Sequence, residues 1–494
     1  MATRLSRTHP GRWSAAASAS RLRMHALLAA GLVLACVAVP WAPWAAQWTP
    51  STARAEAPAA QVSTGSDFGK LFDAVVEKTG KDFWDKARLA EVGWDKRVAE
   101  ARPSVVDAPN LEEAARRINA LLGEIKSSHT NLLTPDDVDY YILLAVFGGA
   151  DMPQQERDER FWGAGVTYAG IGHFSTRIDG RDFVDAVLEG SPAERAGLKV
   201  GDEILAVDGA PYHPIRSFRG KVGHPVALTV RRTPDGPVET LSVQVMSIAP
   251  LHAFREATRA SARVIERDGR RIGYVHVWAS VGEDSANALS DALQRVGATP
   301  SGRQRFALHP KGSPRRSDEP PRLDGLIVDM RGKIGGTGGN AGRYLDILDP
   351  RGPFLRSRNK PRNDDPALLV ADPTSRRGHN AVLIDHHTRS TAELFVHAYQ
   401  RERQGPLIGT RTAGAVSAAS AYAMPGGNLL YLAVTGLEVD GDILEGTGVA
   451  PDIEVARPIP YSNGADPVLD AALDLLARKA APRSPEQTVP SGSN

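Results

Sequence analysis

Cysteine is almost absent from this 494-residue chain: the single one, Cys36, lies in an apolar N-terminal segment. A mature chain cut after that segment has none, which excludes disulfides, Cys-ligated zinc and a Cys nucleophile together. A bias of charge is also missing. There are 59 Lys and Arg against 58 Asp and Glu, a net charge of +1. Both signs are mixed along the chain, so it carries no electrostatic footprint for nucleic acid. Lysine does not occur anywhere from Pro361 to Arg478, so that stretch offers no lysine base. No metal or cofactor is expected.

Apolar residues are not scarce, at 42%, and the length predicts two or three domains. Residues 1–55 read as an export signal to a periplasm or beyond. Arg12, Arg21 and Arg23 precede the apolar run Ala26–Val39, and Ala53-Arg54-Ala55 offers a small-x-small cleavage site. The uncharged stretch Met24–Ala53 is long enough to span a bilayer, but Pro40 and Pro43 interrupt it. Val33-Leu34-Ala35-Cys36 loosely resembles a lipoprotein signal, although more apolar residues follow the cysteine. Membrane association is therefore expected only if this segment is retained.

Phe68, Leu71, Phe72 and Val75 mark one helix face. A second helix starts with Asn110 and Glu113 as a capping box and carries Ile118, Leu121, Leu122 and Ile125. It leads into Lys126-Ser127-Ser128-His129-Thr130, so a helical domain is expected over 66–150 with a Ser-His pair on a loop. Residues 160–247 read as short strands and turns. Pro192 and Gly197 bracket a one-turn helix, Ile204–Val207 is a strand, and Asp208-Gly209 is a hairpin turn. This stretch resembles a PDZ domain of bacterial processing proteases. The resemblance makes Gly170-Ile171-Gly172 a carboxylate-binding loop for a peptide C-terminus, which would add a strand to the sheet edge. The bland reading of those glycines is an ordinary turn.

From about residue 250 strands alternate with helices: Arg271–Trp278, then the helix Asp284–Val296, then the buried strand Asp324–Met330. Residues 298–322 read as a surface insertion. The alternation predicts an α/β core. The glycine-rich run Arg331–Asn340 has neither Walker nor Rossmann spacing, which weakens a nucleotide reading. Such a loop can equally present an N–H to an oxyanion. Ala381–Ile384 is an apolar strand, Asp385–Arg389 a turn, and Thr391–Gln400 a helix with Leu394, Phe395 and Ala398 on one side. Ser390 thus stands at a helix N-terminus, beside free backbone N–H groups. The bland alternative is an N-cap, with Glu393 completing a capping box. Leu429–Val434 and Ile453–Val455 read as strands. Asp466-Pro467 opens a last helix, and 459–494 is expected to hold that helix and a disordered tail.

Taken together, the helical domain, the PDZ-like stretch, the glycine-rich loop, Ser-x-x-Glu and Gly-Val-x-Pro-Asp-Ile resemble the C-terminal processing (tail-specific) protease family from about 66 to 480. The resemblance implies an α/β multidomain protein with a crotonase/ClpP-like catalytic core over 250–458. Ser390 takes the nucleophile position, and Gly335 or Gly336 with the N–H of Thr391 takes the oxyanion hole. One departure stands out. Tail-specific members use a Ser–Lys dyad, and here Ala415 occupies the lysine position. The chain is more similar to the tricorn-core branch, which uses Ser, His, a Ser beside the His, and Glu. The matching residues are Ser128, His129, Ser390 and Glu445. A serine hydroxyl needs a base within reach, and histidine can take and return the proton near neutrality. Rivals for the base are His386 and His387, expected to be exposed, and His397, two turns along the helix. The expected activity is serine-type endopeptidase on peptide or protein substrates, with no nucleic acid. An inactive peptide-binding adaptor is the alternative, and a carrier of small apolar ligands a weaker one. A homo-oligomer stays open.

Overall fold

The computed structural model describes residues 65–147, 165–298, 323–332, 335–336, 354–358, 367–368 and 379–478. The expected leader, the insertion from 299 to 322, Lys333, Ile334, residues 337–340 of the glycine-rich loop, and the tail beyond Arg478 lie outside the described residues. Among those described, no helix is long and apolar enough to cross a membrane.

Helices Gly65–Asp82, Lys86–Glu91, Trp94–Val106 and Leu111–Gly123 pack around Phe68, Phe72, Ile118 and Leu122. The second and third were not read from the sequence. Trp94–Val106 buries only Trp94 and Val105 and carries Pro103 inside, so its apolar period is faint. The expected capping box at Asn110 forms by half. Asn110 accepts the Glu113 N–H at 2.9 Å, while the Glu113 carboxylate pairs with Arg116 and Arg117.

This helical core is not closed by local sequence. Met424, Leu430 and Leu432 complete it, because strand Asn131–Leu133 pairs with Asn428–Thr435, placing Asn131 opposite Tyr431. The third strand of that sheet is Ala418–Met424. Its alanines have poor strand preference, and packing against its neighbours decides its conformation.

The expected PDZ region is an antiparallel sheet of His173–Ile178, Arg181–Val187, Glu203–Val207, Pro225–Arg231 and Val238–Gln244, in that order, with His173–Ile178 at the edge. The one-turn helix is Pro192–Arg195, capped by Ser191. Asp208 and Gly209 both have positive φ, 51° and 78°, as a two-residue hairpin turn requires.

The α/β core is a six-stranded sheet. Arg263–Arg267 pairs antiparallel with Arg270–His276, and then Gly325–Asp329, Asn380–Ile384, Leu407–Gly409 and Ile453–Glu454 follow in parallel. Helices Gly282–Arg295 and Thr391–Arg401 cover one face, and Pro467–Arg478 covers the other through Val468, Ala472 and Leu473. Burial on both faces explains why Ala381–Ile384 is continuously apolar rather than alternating. The carboxyl ends of parallel strands gather the loops of an α/β sheet into one crevice. Here they bring the turn after Ile384 beside the loop after Asp329. The start of that loop is anchored by Arg331, which is buried between Asp329, at 2.6 Å, and Asp466, at 2.7 Å.

Candidate active site

Ser390 lies where strand Asn380–Ile384 turns into helix Thr391–Arg401. The turn is held by Thr388, whose hydroxyl donates to the Met330 carbonyl and accepts the Asp385 N–H. Ser390 itself has φ 56° and ψ −125°, a backbone state that non-glycine residues rarely adopt and that costs about 1–3 kcal/mol. Two acceptors hold its N–H: the Ala415 carbonyl at 2.9 Å and the Glu393 carboxylate at 3.2 Å. The returning bond of the expected capping box is therefore present.

Glu393 does more than cap. It is fully buried and accepts from the Thr412 hydroxyl at 2.6 Å and from the N–H groups of Gly414 and Ala415 at 2.7 Å each. Burial pushes its pKa up, and these donors pull against that. The carboxylate thereby fastens the 412–415 turn to the serine. Whichever way it is placed, the NH2 of Glu393→Gln faces a backbone N–H of Gly414, Ala415 or Ser390, which can only donate. An unsatisfied buried group costs about 1–3 kcal/mol, so a thermal melt is expected to show a destabilisation of about 2–4 kcal/mol.

His129 is buried, 8% exposed, with φ 52°. Its Nδ1–H donates to the Ser417 carbonyl at 2.7 Å, which leaves Nε2 as the unprotonated nitrogen of the neutral ring. The ring meets Tyr431 edge-on, with centroids 5.0 Å apart. Burial holds its pKa below the ordinary histidine value; the Ser417 bond and the Glu445 charge push upward, and the Arg389 charge pushes down again.

Glu445 makes no hydrogen bond to the imidazole. One oxygen accepts the Ser128 N–H at 2.8 Å. The other accepts the Ser128 hydroxyl at 3.0 Å and the N–H groups of Val416 and Ser417 at 3.0 and 2.9 Å. The Ser128 hydroxyl is 3.4 Å from Nδ1, longer than a good hydrogen bond. Orientation of the ring therefore comes from the Ser417 carbonyl, and Glu445 acts by holding Ser128 and Ser417 together. No signal in the sequence marks Ser417, since the group used is a backbone oxygen. The short segment 414–417 now carries both halves: Ala415 receives the Ser390 N–H, and Ser417 receives the His129 N–H.

Gly335 stands against the serine. A Cβ there would be 2.5 Å from the Ser390 Cβ and 2.9 Å from the Thr391 nitrogen, so only glycine fits. Gly336 is as tight, with a Cβ position 1.8 Å from the Ser280 carbonyl, and its own carbonyl accepts the Thr391 hydroxyl at 3.0 Å. As the first residue of its helix, Thr391 has an N–H without an intrahelical partner.

The rival histidines are placed otherwise. His386 is exposed. His387, expected to be exposed, is largely buried and lies 2.8 Å from Asp185 of the PDZ-like region. The reason is tertiary: Arg181–Val187 brings a carboxylate over the turn. His397 lies 3.2 Å from Asp440. In the other expected site, Gly170, Ile171 and Gly172 are buried. The Ile171 and Gly172 carbonyls accept the Ala193 and Leu188 N–H groups, and Gly172, at φ 85°, abuts Ser191. Among the described residues no cluster of three His, Cys, Asp or Glu side chains could hold a metal ion.

Residues 316–455 match the model of peptidase family S41, and residues 183–232 match the PDZ domain model. The chain carries a peptidase S41 region and a PDZ domain. It is 23% identical over 451 residues to a tricorn protease homolog of Streptomyces coelicolor, covering 87% of this chain and 34% of that protein. It is 23% identical over 313 residues to the carboxy-terminal processing protease CtpB of Bacillus subtilis, covering 60% of this chain and 57% of that one. The chain thus spans about a third to three-fifths of the length of these relatives. A solved photosystem II D1 C-terminal processing protease superposes with a TM-score of 0.44 at 17% identity, over 81% of this chain and 98% of that one. The α/β multidomain organisation and the family resemblance read from the sequence both stand. The S41 match spans the glycine-rich loop, Ser390, Ala415 and Glu445, and leaves His129 outside it.

Proposed function

We propose that this chain is a serine endopeptidase in which Ser390 attacks the scissile carbonyl and His129 is the base. Nε2 of His129 takes the hydroxyl proton as Oγ bonds to the carbonyl carbon. The negative charge on the carbonyl oxygen is stabilised by backbone N–H groups of Gly335 or Gly336 and Thr391. The imidazolium then gives its proton to the departing amine, and water hydrolyses the acyl-serine by the same route reversed. Ser128 and Glu445 are positioning residues for the histidine. The observation that carries the reading is the Nδ1–H bond to Ser417, because it leaves the other ring nitrogen unprotonated and ties the histidine to the short segment that also accepts the Ser390 N–H.

The PDZ domain supplies the substrate. A peptide or an unstructured C-terminal segment would pair with the edge strand His173–Ile178, its carboxylate at the loop Gly170-Ile171-Gly172. The arginine-flanked apolar run Ala26–Val39 and the small-x-small site at Ala53-Arg54-Ala55 support export.

A fluorophosphonate probe tests the assignment. Covalent labelling mapped to Ser390 is expected, because only an activated serine reacts. An unlabelled protein that still binds peptides would be the adaptor instead.

A further inference from the structure

Arg389 directly precedes Ser390, and the mechanism above gives it no task. Its Nε is buried without a hydrogen-bond partner, and no ion pair involving it occurs among the described residues. Three other arginines of the α/β core are committed. Arg331 is held by Asp329 and Asp466, Arg401 by Asp440 and Glu402, and Arg411 by the carbonyls of Thr447 and Gly448. A buried guanidinium donor left without an acceptor costs stability, and a carboxylate of a bound substrate would supply the acceptor. The charge of Arg389 also acts on both His129 and Tyr431. The Tyr431 ring lies 5.0 Å from the His129 ring and 5.6 Å from Phe147. Tyr431, Phe147 and Arg389 are all half-buried; the Tyr431 ring borders the histidine, while Arg389 adjoins the serine in the chain.

We infer that Arg389 binds a carboxylate of the substrate next to the scissile bond, so that this chain prefers peptides with an acidic group there. A guanidinium forks onto a carboxylate with two parallel bonds, which suits it to this recognition. Pairing has a second consequence. Proton transfer from Ser390 makes an imidazolium, and an unpaired guanidinium nearby opposes that charge. A substrate carboxylate neutralises the cation, so the benefit reaches kcat and not only KM. The inference rests on the serine-peptidase reading. The carboxylate has two sources, an Asp or Glu side chain or a peptide C-terminus.

The experiment uses internally quenched peptides in matched pairs: Glu against Gln at each position around the cleaved bond, and free C-terminus against amide. For the full chain, kcat/KM is expected to favour one carboxylate form by about tenfold to a hundredfold, the range of a charged hydrogen bond. A loss on Glu-to-Gln exchange assigns the side chain, and a loss on amidation assigns the C-terminus. In Arg389→Gln the ratio within that pair should fall to about one, and Arg389→Lys should restore part of it. Anisotropy with Ser390→Ala and with Ser390→Ala/Arg389→Gln gives the same ratios without turnover, and a thermal melt checks that each variant is folded. Turnover with no carboxylate preference, or a preference that survives Arg389→Gln, overturns the inference and leaves the peptidase reading intact. Absence of turnover and of probe labelling removes the peptidase reading, and the binding ratios then decide the role of Arg389.

Discussion

Ser390→Ala is expected to abolish peptide hydrolysis, lowering kcat by at least about ten thousandfold, while the protein stays folded. Loss of a nucleophile is among the largest effects a single substitution has on an enzyme. The fold should survive for a local reason. Alanine keeps the Cβ that Gly335 accommodates, and the two acceptors of the Ser390 N–H belong to Ala415 and Glu393. The hydroxyl contributes at most a cap, about 1 kcal/mol. Turnover measured beside a thermal melt separates the outcomes. Near-wild-type hydrolysis by a folded variant would remove Ser390 from the chemistry and reduce it to a cap.

His129→Ala is expected to lower kcat by at least about a hundredfold, the lower end of a general-base contribution. Glu445→Gln should cost less, because Nε2 remains in place. The two losses should not add, since Glu445 acts through the histidine, by holding the segment that orients the ring and by its charge. Their pH dependence separates this role from a merely structural one. Neutral imidazole is the active form, so kcat/KM is full above the histidine pKa and falls as pH drops through it. Burial holds that pKa down, so the midpoint should lie below about 6.5. The Glu445 carboxylate raises the same pKa. Its neutralisation should therefore move the midpoint to still lower pH. A double-mutant cycle on kcat with pH profiles checks both points. Additive losses with an unmoved midpoint would detach Glu445 from the base. A fully active His129→Ala would move the search to His386, His387 and His397, two of which are already paired with carboxylates.

Much of the site's local form was legible in the residues. The apolar run before Ser390, the polar turn and the helix after it follow from neighbours a few positions apart. So do the cap at Asn110, the one-turn helix at Pro192 and the turn at Asp208-Gly209. Each is a choice of backbone angles made by side chains within one turn of each other. The missing lysine was legible too, because an absence from 361–478 needs no structure to see.

What joins these pieces was not. Asn131 meets Tyr431, and His129 meets Ser417, 288 positions away. Ser128 meets Glu445 across 317 positions, and His387 meets a carboxylate from the PDZ domain. Glu393 looked like half of a cap, and its other three donors lie 19 to 22 positions on. The sequence by itself determined the elements, the nucleophile candidate and its turn, because those depend on nearest-neighbour geometry. Only the tertiary structure decided which nitrogen of His129 is left free and what holds Glu445. Those depend on sheet register, which is fixed by the burial of whole strands and by backbone atoms that every residue carries alike.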